Sequence, residues 1–588
     1  LGGERTWQCV GRADRILVLP EQFVGRADHI LVLPEQFVGR ANHILGQPEQ
    51  FWSKADHILG QPEQFWSKAD HILDLPDQFE VKPDHILVLP EQFRSRLDHF
   101  LVIPERLILS LVLFSSATTC YNIEIEMEDV RMSAPVKKND RLTVYIEDLT
   151  HDGNGVAKVD GYPLFIQGAL PNETAEVHVL KTLKNYGFAK VAEILKPSPD
   201  RVDAPCEYFK QCGGCQLQHL SYEGQLKWKE NMVRNVMQRI GKIDAPVLPV
   251  KGMEEPWHYR NKAQIPFSSN EAGQAIAGFY KTKSHSIVDM ERCLIQTGEA
   301  DAILAGLKKE LAAIGIRPYN EVSHEGMLRH VVIRKARATG EVMVVLVTKK
   351  KKFLQKEAAV ASIQKLVPNV TSIMQNVNSD KTNVIFGDET VNLWGKDVII
   401  DTIGDVRFEI SARSFYQVNP QQTEVLYKQA LDYADLQGDE RVIDAYCGIG
   451  TISLFLAQKA KAVMGVEIVP QAIEDAKRNA ELNGFNNTYF EAGPAEEVIP
   501  RWYKEGKEAD VLVVDPPRKG CDEALLKTIL EQRPKRVVYV SCNPATLARD
   551  LRILEDGGYQ TQEIQPVDMF PHSTHVECVS QLILKEED

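Results

Sequence analysis

The sequence predicts an α/β protein with a Rossmann-like parallel-sheet domain toward its C-terminal end. A small OB-type β-barrel and a central α+β region with clustered cysteines precede that domain. Three observations carry this. After about residue 406, buried strands alternate with helices around a glycine turn. From Lys137 to Lys196, short alternating strands are punctuated by Gly, Asn and Pro. Between them, Cys206, Cys212 and Cys215 crowd into one Gly-bearing loop.

The expected division is 1–131, 132–200, 201–405 and 406–588. The first segment reads differently from the rest. A unit of about 14 residues recurs there as RADHILVLPEQF, RANHILGQPEQF, KADHILGQPEQF and KADHILDLPDQF. The period is shorter than the usual solenoid repeats, and each unit carries a helix-interrupting Pro. Near-identity between units suggests recent duplication. Residues 1–131 are therefore expected to be spurious upstream translation or a disordered extension, with Met132, then Met127, as candidate starts. Peptides from the repeats in mass spectra of the native protein would overturn this.

The net charge of -14 argues against a generally basic nucleic-acid binder, so any phosphate contact must come from local clusters. Ten cysteines in 588 residues are too few for a disulfide scaffold. Their spacing favours a reducing, cytoplasmic compartment. No run of about 20 apolar residues occurs, so no membrane span is expected.

The segment RLTVYIEDLT to ETAEVHVLKTLKNYGFAKVAEIL predicts four or five strands of a small barrel. In it Lys181, Lys184, Tyr186, Phe188 and Lys190 interleave cations with aromatics, the pattern that grips single-stranded RNA. A solvated strand face would look the same.

Cys206, Cys212 and Cys215 have C-x5-C-x2-C spacing, and Cys293 in MERCLIQ is a distant fourth. Such a set can hold a [4Fe–4S] cluster or a structural zinc, and spacing alone does not choose. It is not the C-x3-C-x2-C of radical chemistry. GQLKWKENMVRNVMQRIG reads as an amphipathic helix. WHYRNKAQIPF could face RNA or border the core, and the lysines from Lys349 to Lys352 read as a solvated loop.

In the last region, RVIDAYCGIGTISLFLAQKA is a strand, a glycine turn and a helix. Gly448 and Gly450 let backbone approach a cofactor, and Glu467 about 20 residues on is placed for ribose hydroxyls. Ser453 stands where a dinucleotide fingerprint has its third glycine, and Asp444 suits a cationic ligand better than a phosphate. Both favour S-adenosylmethionine over a dinucleotide. One strand then ends in Asp515-Pro516-Pro517-Arg518 and the next in Ser541-Cys542-Asn543-Pro544. A helix starting after Cys542 would favour its thiolate; the alternative is a small buried residue. Glu577 in HVECV sits in an apolar strand, where burial would raise its pKa, or it is an ordinary strand residue.

Taken together, CEYFKQCGGCQLQH with ERC, SFYQVNPQQTEVLY, DAYCGIGTISL, DPPRKGC, SCNPATLARDL and HVECV resemble the TRAM-containing RNA (uracil-C5)-methyltransferases, in particular the 23S rRNA enzymes. The resemblance covers about residues 134–588. It implies a TRAM barrel, a methyltransferase domain and a monomer acting on 23S ribosomal RNA with S-adenosylmethionine. It makes Cys542 the nucleophile and Glu577 the base. It gives S-adenosylmethionine to Gln417, Tyr446, Glu467 and Asp515, and a [4Fe–4S] cluster to Cys206, Cys212, Cys215 and Cys293. Tyr446 stands where many relatives carry Phe. The chemistry wants this pair, because C5 of uracil is a poor nucleophile until a thiolate adds at C6, and a base must then remove the C5 proton. The competing expectations are a tRNA T-loop uridine as target, a non-catalytic RNA-binding factor and an iron–sulfur electron-transfer protein.

Overall fold

In the C-terminal region the central strands are buried on both faces, as a parallel sheet covered by helices requires. The computed structural model describes residues 134–586. The repeats and both candidate start methionines lie outside the described residues. Among the described residues there are four sheets.

The first is a six-stranded sheet of β1 (Arg141–Tyr145), β2 (Asp148–Leu149), β3 (Gly155–Val159), β4 (Tyr162–Gln167), β5 (Thr174–Thr182) and β6 (Gly187–Lys196), in the order β1-β5-β6-β4-β3-β2. It has six strands where four or five were expected, the extra one being the two-residue β2, too short to show a period. Alternate residues such as Ile146, Leu164, Ile166, Val177 and Val179 fill its core.

Helix α1 (Tyr222–Val236) follows, with Ser221 capping it by accepting from Gly224 N at 3.2 Å. The second sheet comprises β7 (Lys262–Ser269), β8 (Ala275–Tyr280), β9 (Ile287–Asp289), β10 (Leu328–Lys335), β11 (Val342–Thr348), β12 (Val370–Val377) and β13 (Glu389–Gly395). Helices α2 (Gly298–Ala302), α3 (Lys308–Ala313) and α4 (Lys356–Leu366) accompany it. Strands β11 and β12 are parallel, and α4 is the crossover between them. The hairpin β14 (Ile399–Ile403) and β15 (Val406–Ile410) forms the third sheet.

The fourth sheet holds β16 (Arg441–Ala445), β17 (Ala462–Glu467), β18 (Thr488–Ala492), β19 (Val511–Val514), β20 (Arg536–Ser541), β21 (Tyr559–Val567) and β22 (Glu577–Leu584), in the order β18-β17-β16-β19-β20-β22-β21. Only β22 runs antiparallel to its neighbours β20 and β21. Helices α5 (Pro420–Ala434), α6 (Thr451–Ala457), α7 (Pro470–Leu482), α8 (Ala495–Lys504), α9 (Glu523–Gln532) and α10 (Pro544–Asp556) cover its faces. Val442, Val511, Val513, Val538 and Val540 point into one core, while Ile443, Leu512, Val514, Val537 and Tyr539 point into the other. The strand order reverses at β16 and β19, the place where open α/β sheets bind ligands beyond the strand C-termini.

Candidate active site

The turn after β16 is unusual backbone. Tyr446, Gly448 and Gly450 have φ of 69°, 56° and 81°. For the glycines this is free; for Tyr446 it costs energy, and such cost gathers at functional sites. A Cβ added at Gly448 would meet nothing within 4 Å, so the backbone there borders open space. Glu467, ending β17, braces the turn. One carboxylate oxygen accepts from Gly448 N at 3.2 Å and the other from Val469 N at 3.0 Å. Ile468 and Val469 beside it are 65% and 50% exposed, an apolar lip on the crevice.

Two more carboxylates face the same turn. Asp444 accepts from Ser453 through one oxygen, and its other oxygen is buried without a hydrogen-bond partner among the described residues. Burial pushes its carboxyl up to about 7, with the charges of Asp515 and Glu467 adding to the effect. Burial also pushes Asp515 up to about 7. An acid-rich hollow with an apolar lip fits a ligand that carries a cation, ribose hydroxyls and an aromatic base, and it repels a phosphate. Gln417 is buried just before α5, where its carbonyl accepts from Asn261 Nδ2 at 3.0 Å.

Cys542 and Glu577 come together by register. The antiparallel β20–β22 ladder ends with Ser541 opposite Cys578, so the next step puts Cys542 beside Glu577. Glu577 is buried, and burial followed by the charge of Asp515 holds its carboxyl well above the ordinary range. The Cys542 thiol is pushed up to about 11, first by burial and then by Glu577 and Asp515. This corrects the expectation that the following helix favours a thiolate. Asn543 Oδ1 already takes the α10 Ala545 N–H at 3.1 Å, and burial, with Glu577 and Asp515 adding to it, outweighs what is left of the helix end. Arg518 opposes them, lowering both Cys542 and Glu577.

Cys206, Cys212, Cys215 and Cys293 line one cavity of about 290 Å³, together with Arg260 and Lys262. None is in a disulfide. Burial and the charges of the neighbouring cysteines push Cys215 and Cys293 up to about 12. Lys262 is pushed down to about 7 by burial and by Arg334 and Arg260. Among the described residues no group of three or more His, Cys, Asp or Glu is close enough to hold a metal ion as placed. The donor set and its cationic wall nevertheless match an anionic thiolate-bound group.

On the barrel, Phe165, Tyr186 and Phe188 form a ring cluster with centroids 5.4–5.9 Å apart. Lys181, Lys184 and Lys190 are exposed around it. No helix among the described residues is long and apolar enough to cross a membrane.

Comparison with known proteins decides the family. The tRNA (uracil-5-)-methyltransferase family model matches residues 221–585, and the TRAM domain model matches 135–192. The chain belongs to the tRNA (uracil-5-)-methyltransferase family. An uncharacterized RNA methyltransferase of Halalkalibacterium halodurans is 62% identical over 77% of this chain and 99% of its own length. One from Listeria monocytogenes is 58% identical over 76% and 99%. The crystal structure of Pyrococcus abyssi tRNA (uracil-54, C5)-methyltransferase with S-adenosyl-L-homocysteine has 29% identity and a TM-score of 0.61, covering 75% of this chain and all of that one. The C-terminal half of this uracil-5-methyltransferase family member is thus a methyltransferase fold, and residues 135–192 are a TRAM domain.

In the DPPRKGC run the sequence gives Arg518 no role of its own, yet in the folded chain its charge reaches Cys542, Glu577 and His575. Its place in that run was the available signal. Phe165 was missed as the third ring because it comes from β4, away from the Lys-aromatic run.

Proposed function

We propose that the chain methylates C5 of a uracil in 23S ribosomal RNA, with S-adenosylmethionine as donor. The observation that carries this is Cys542 standing one residue past the Ser541–Cys578 end of the β20–β22 ladder, with Glu577 starting β22 and its charge acting on the thiol. When bound, S-adenosylmethionine supplies an electrophilic methyl on a sulfonium centre. Glu467 would hold the ribose hydroxyls, Asp515 would face the cationic end, and Tyr446 and Gln417 would line the pocket.

Cys542 gives up its proton to solvent and adds as the thiolate to C6 of a uracil flipped out of its stack, which makes C5 nucleophilic so that it would take the methyl group and leave S-adenosylhomocysteine. Glu577 then takes the C5 proton, the C5–C6 double bond re-forms and the C6–S bond breaks. Burial suits Glu577 to this, because a carboxylate with a raised pKa is a stronger base. Arg518 is placed to favour the anionic forms of both groups.

RNA containing 5-fluorouracil tests the reading, because fluorine cannot leave as a proton does. The protein is expected to form an adduct that survives denaturing gels, and Cys542→Ala is expected to form none. An Ala variant with full transfer activity would refute the assignment.

The cysteine-lined cavity supports a [4Fe–4S] cluster on Cys206, Cys212, Cys215 and Cys293 in this same chain. Iron and sulfide content of anaerobically purified protein tests it, and stoichiometric zinc would count against it. Free thiols fit a reducing, cytoplasmic compartment, and the protein is expected to be a monomer, which light scattering checks.

A second reading is a tRNA T-loop uridine, favoured by the match to the full length of the Pyrococcus abyssi tRNA enzyme. Mapping 5-methyluridine in rRNA and tRNA from a deletion strain separates the two.

A further inference from the structure

Residues 568–575, which lead into Glu577, have no helix or strand of their own. They are held from far upstream in the chain. Gln216 N and Leu217 N both donate to the His572 carbonyl at 2.9 Å. Gln225 Oε1 accepts from His572 N at 2.9 Å, and its Nε2 lies 3.2 Å from His572 Nδ1. The same Nε2 donates to the carbonyls of Leu217 at 3.1 Å and Leu220 at 2.9 Å. The Trp257 ring stacks on His572 at 3.7 Å and 17°. Tyr259 OH donates to the Pro571 carbonyl at 3.1 Å.

These groups belong to the cysteine lobe. Gln216 follows Cys215 directly. His258 N and Arg260 N donate to the carbonyls of Leu294 and Ile295, the two residues after Cys293. Both arms of the cysteine set therefore converge on His572, five residues before Glu577. His572 itself sits at φ 67°, a conformation that persists only where surroundings impose it. Gln225 is buried, and its one amide ties the cysteine loop to this residue.

We infer that Gln225 is a positioning residue, through which the cysteine lobe holds His572 and so sets Glu577 for removal of the C5 proton. The inference rests on Glu577 being the base. Misplacing a base by a fraction of an ångström slows its own step and spares the earlier ones. Attack by Cys542 and methyl transfer continue, and the methylated adduct waits for elimination.

The test uses the full-length protein, ordinary uracil-containing RNA and S-adenosylmethionine. Gln225→Met is expected to lower turnover about tenfold. It is also expected to raise severalfold the fraction of RNA trapped as adduct on denaturing gels. Affinity for S-adenosylhomocysteine should stay within about twofold, since the cofactor crevice is untouched. Turnover and adduct falling together, or no change in either, would overturn the inference. Glu577→Gln is the reference. If it accumulates no adduct, the base assignment itself fails. If it does and Gln225→Met does not, only the positioning role fails. Should Gln225→Met not fold, Trp257→Leu removes the stacking on His572 and is judged by the same readouts.

Discussion

Lys229 donates to Asp568 at 2.6 Å with both side chains shut off from solvent, although 339 residues separate them. Tyr222 OH takes the other Asp568 oxygen at 2.9 Å, and Lys229 also reaches the Phe570 carbonyl at 3.2 Å. The pair fastens α1 to the segment that precedes Glu577. Burial pushes the Lys229 ammonium below its ordinary value, and the Asp568 charge and hydrogen bond oppose that shift. Lys229→Met leaves Asp568 buried without its cation, so a loss of about 3–5 kcal/mol is expected. Denaturant unfolding measures it. The double variant Lys229→Met with Asp568→Leu should recover part of the loss, because no charge then remains buried.

Stability should depend on pH through Asp515. Its folded value of about 7 lies above the ordinary 3.8, so between these pH values the native state holds a proton that the unfolded state has released. Stability therefore falls as pH rises through this window, and the loss is complete above it. Asp515→Asn removes that fall. Its melting temperature is expected to exceed that of the wild type at pH 8, with a smaller difference at pH 5. Calorimetry at the two pH values checks this, and S-adenosylhomocysteine binding should weaken in the same variant.

Cys542 alkylation reports the charges around the thiol. With a value of about 11, its thiolate fraction rises about tenfold per pH unit between pH 7 and 9. Iodoacetamide labelling of the Cys542 peptide, followed by mass spectrometry, should track that slope. At pH 8 Arg518→Gln should label more slowly, because it removes a cation that favours the thiolate.

Glu467→Ala removes the acceptor of both Gly448 N and Val469 N. The turn loosens and the proposed ribose partner is lost. A drop of at least about tenfold in S-adenosylhomocysteine affinity is expected by calorimetry, corresponding to about 1.4 kcal/mol.

Tyr186→Ala and Phe188→Ala should each weaken RNA binding by about 1–3 kcal/mol if a base stacks on that ring. Cofactor affinity should not change. Filter binding at fixed salt separates the two effects.

Much of the fold was legible because its units are local. The run from Arg441 to Ala457 is a strand, a turn and a helix in direct succession, with glycines at two of its three positive-φ positions and Tyr446 at the third. Strand β18 escaped notice. It is an edge strand whose Tyr489 is 47% exposed, so its residues show no clear hydrophobic period. The raised carboxyl of Glu577 could be read from its apolar neighbours. The raised thiol of Cys542 could not, since the burial that raises it most, and the carboxyls of residues 515 and 577 that add to it, are set by distant parts of the chain.

By itself the chain order determined which strand-turn-helix units form, and which residues stand at their ends. Backbone preference and side-chain period act over a few residues and are written there. The tertiary structure alone decided that Cys542 and Glu577 share a ladder end, that Arg518 opposes two carboxylates, and that the cysteine loop grips His572. Those are meetings of residues far apart in sequence. Burial and Coulomb interaction depend on distance in space, which no local pattern records.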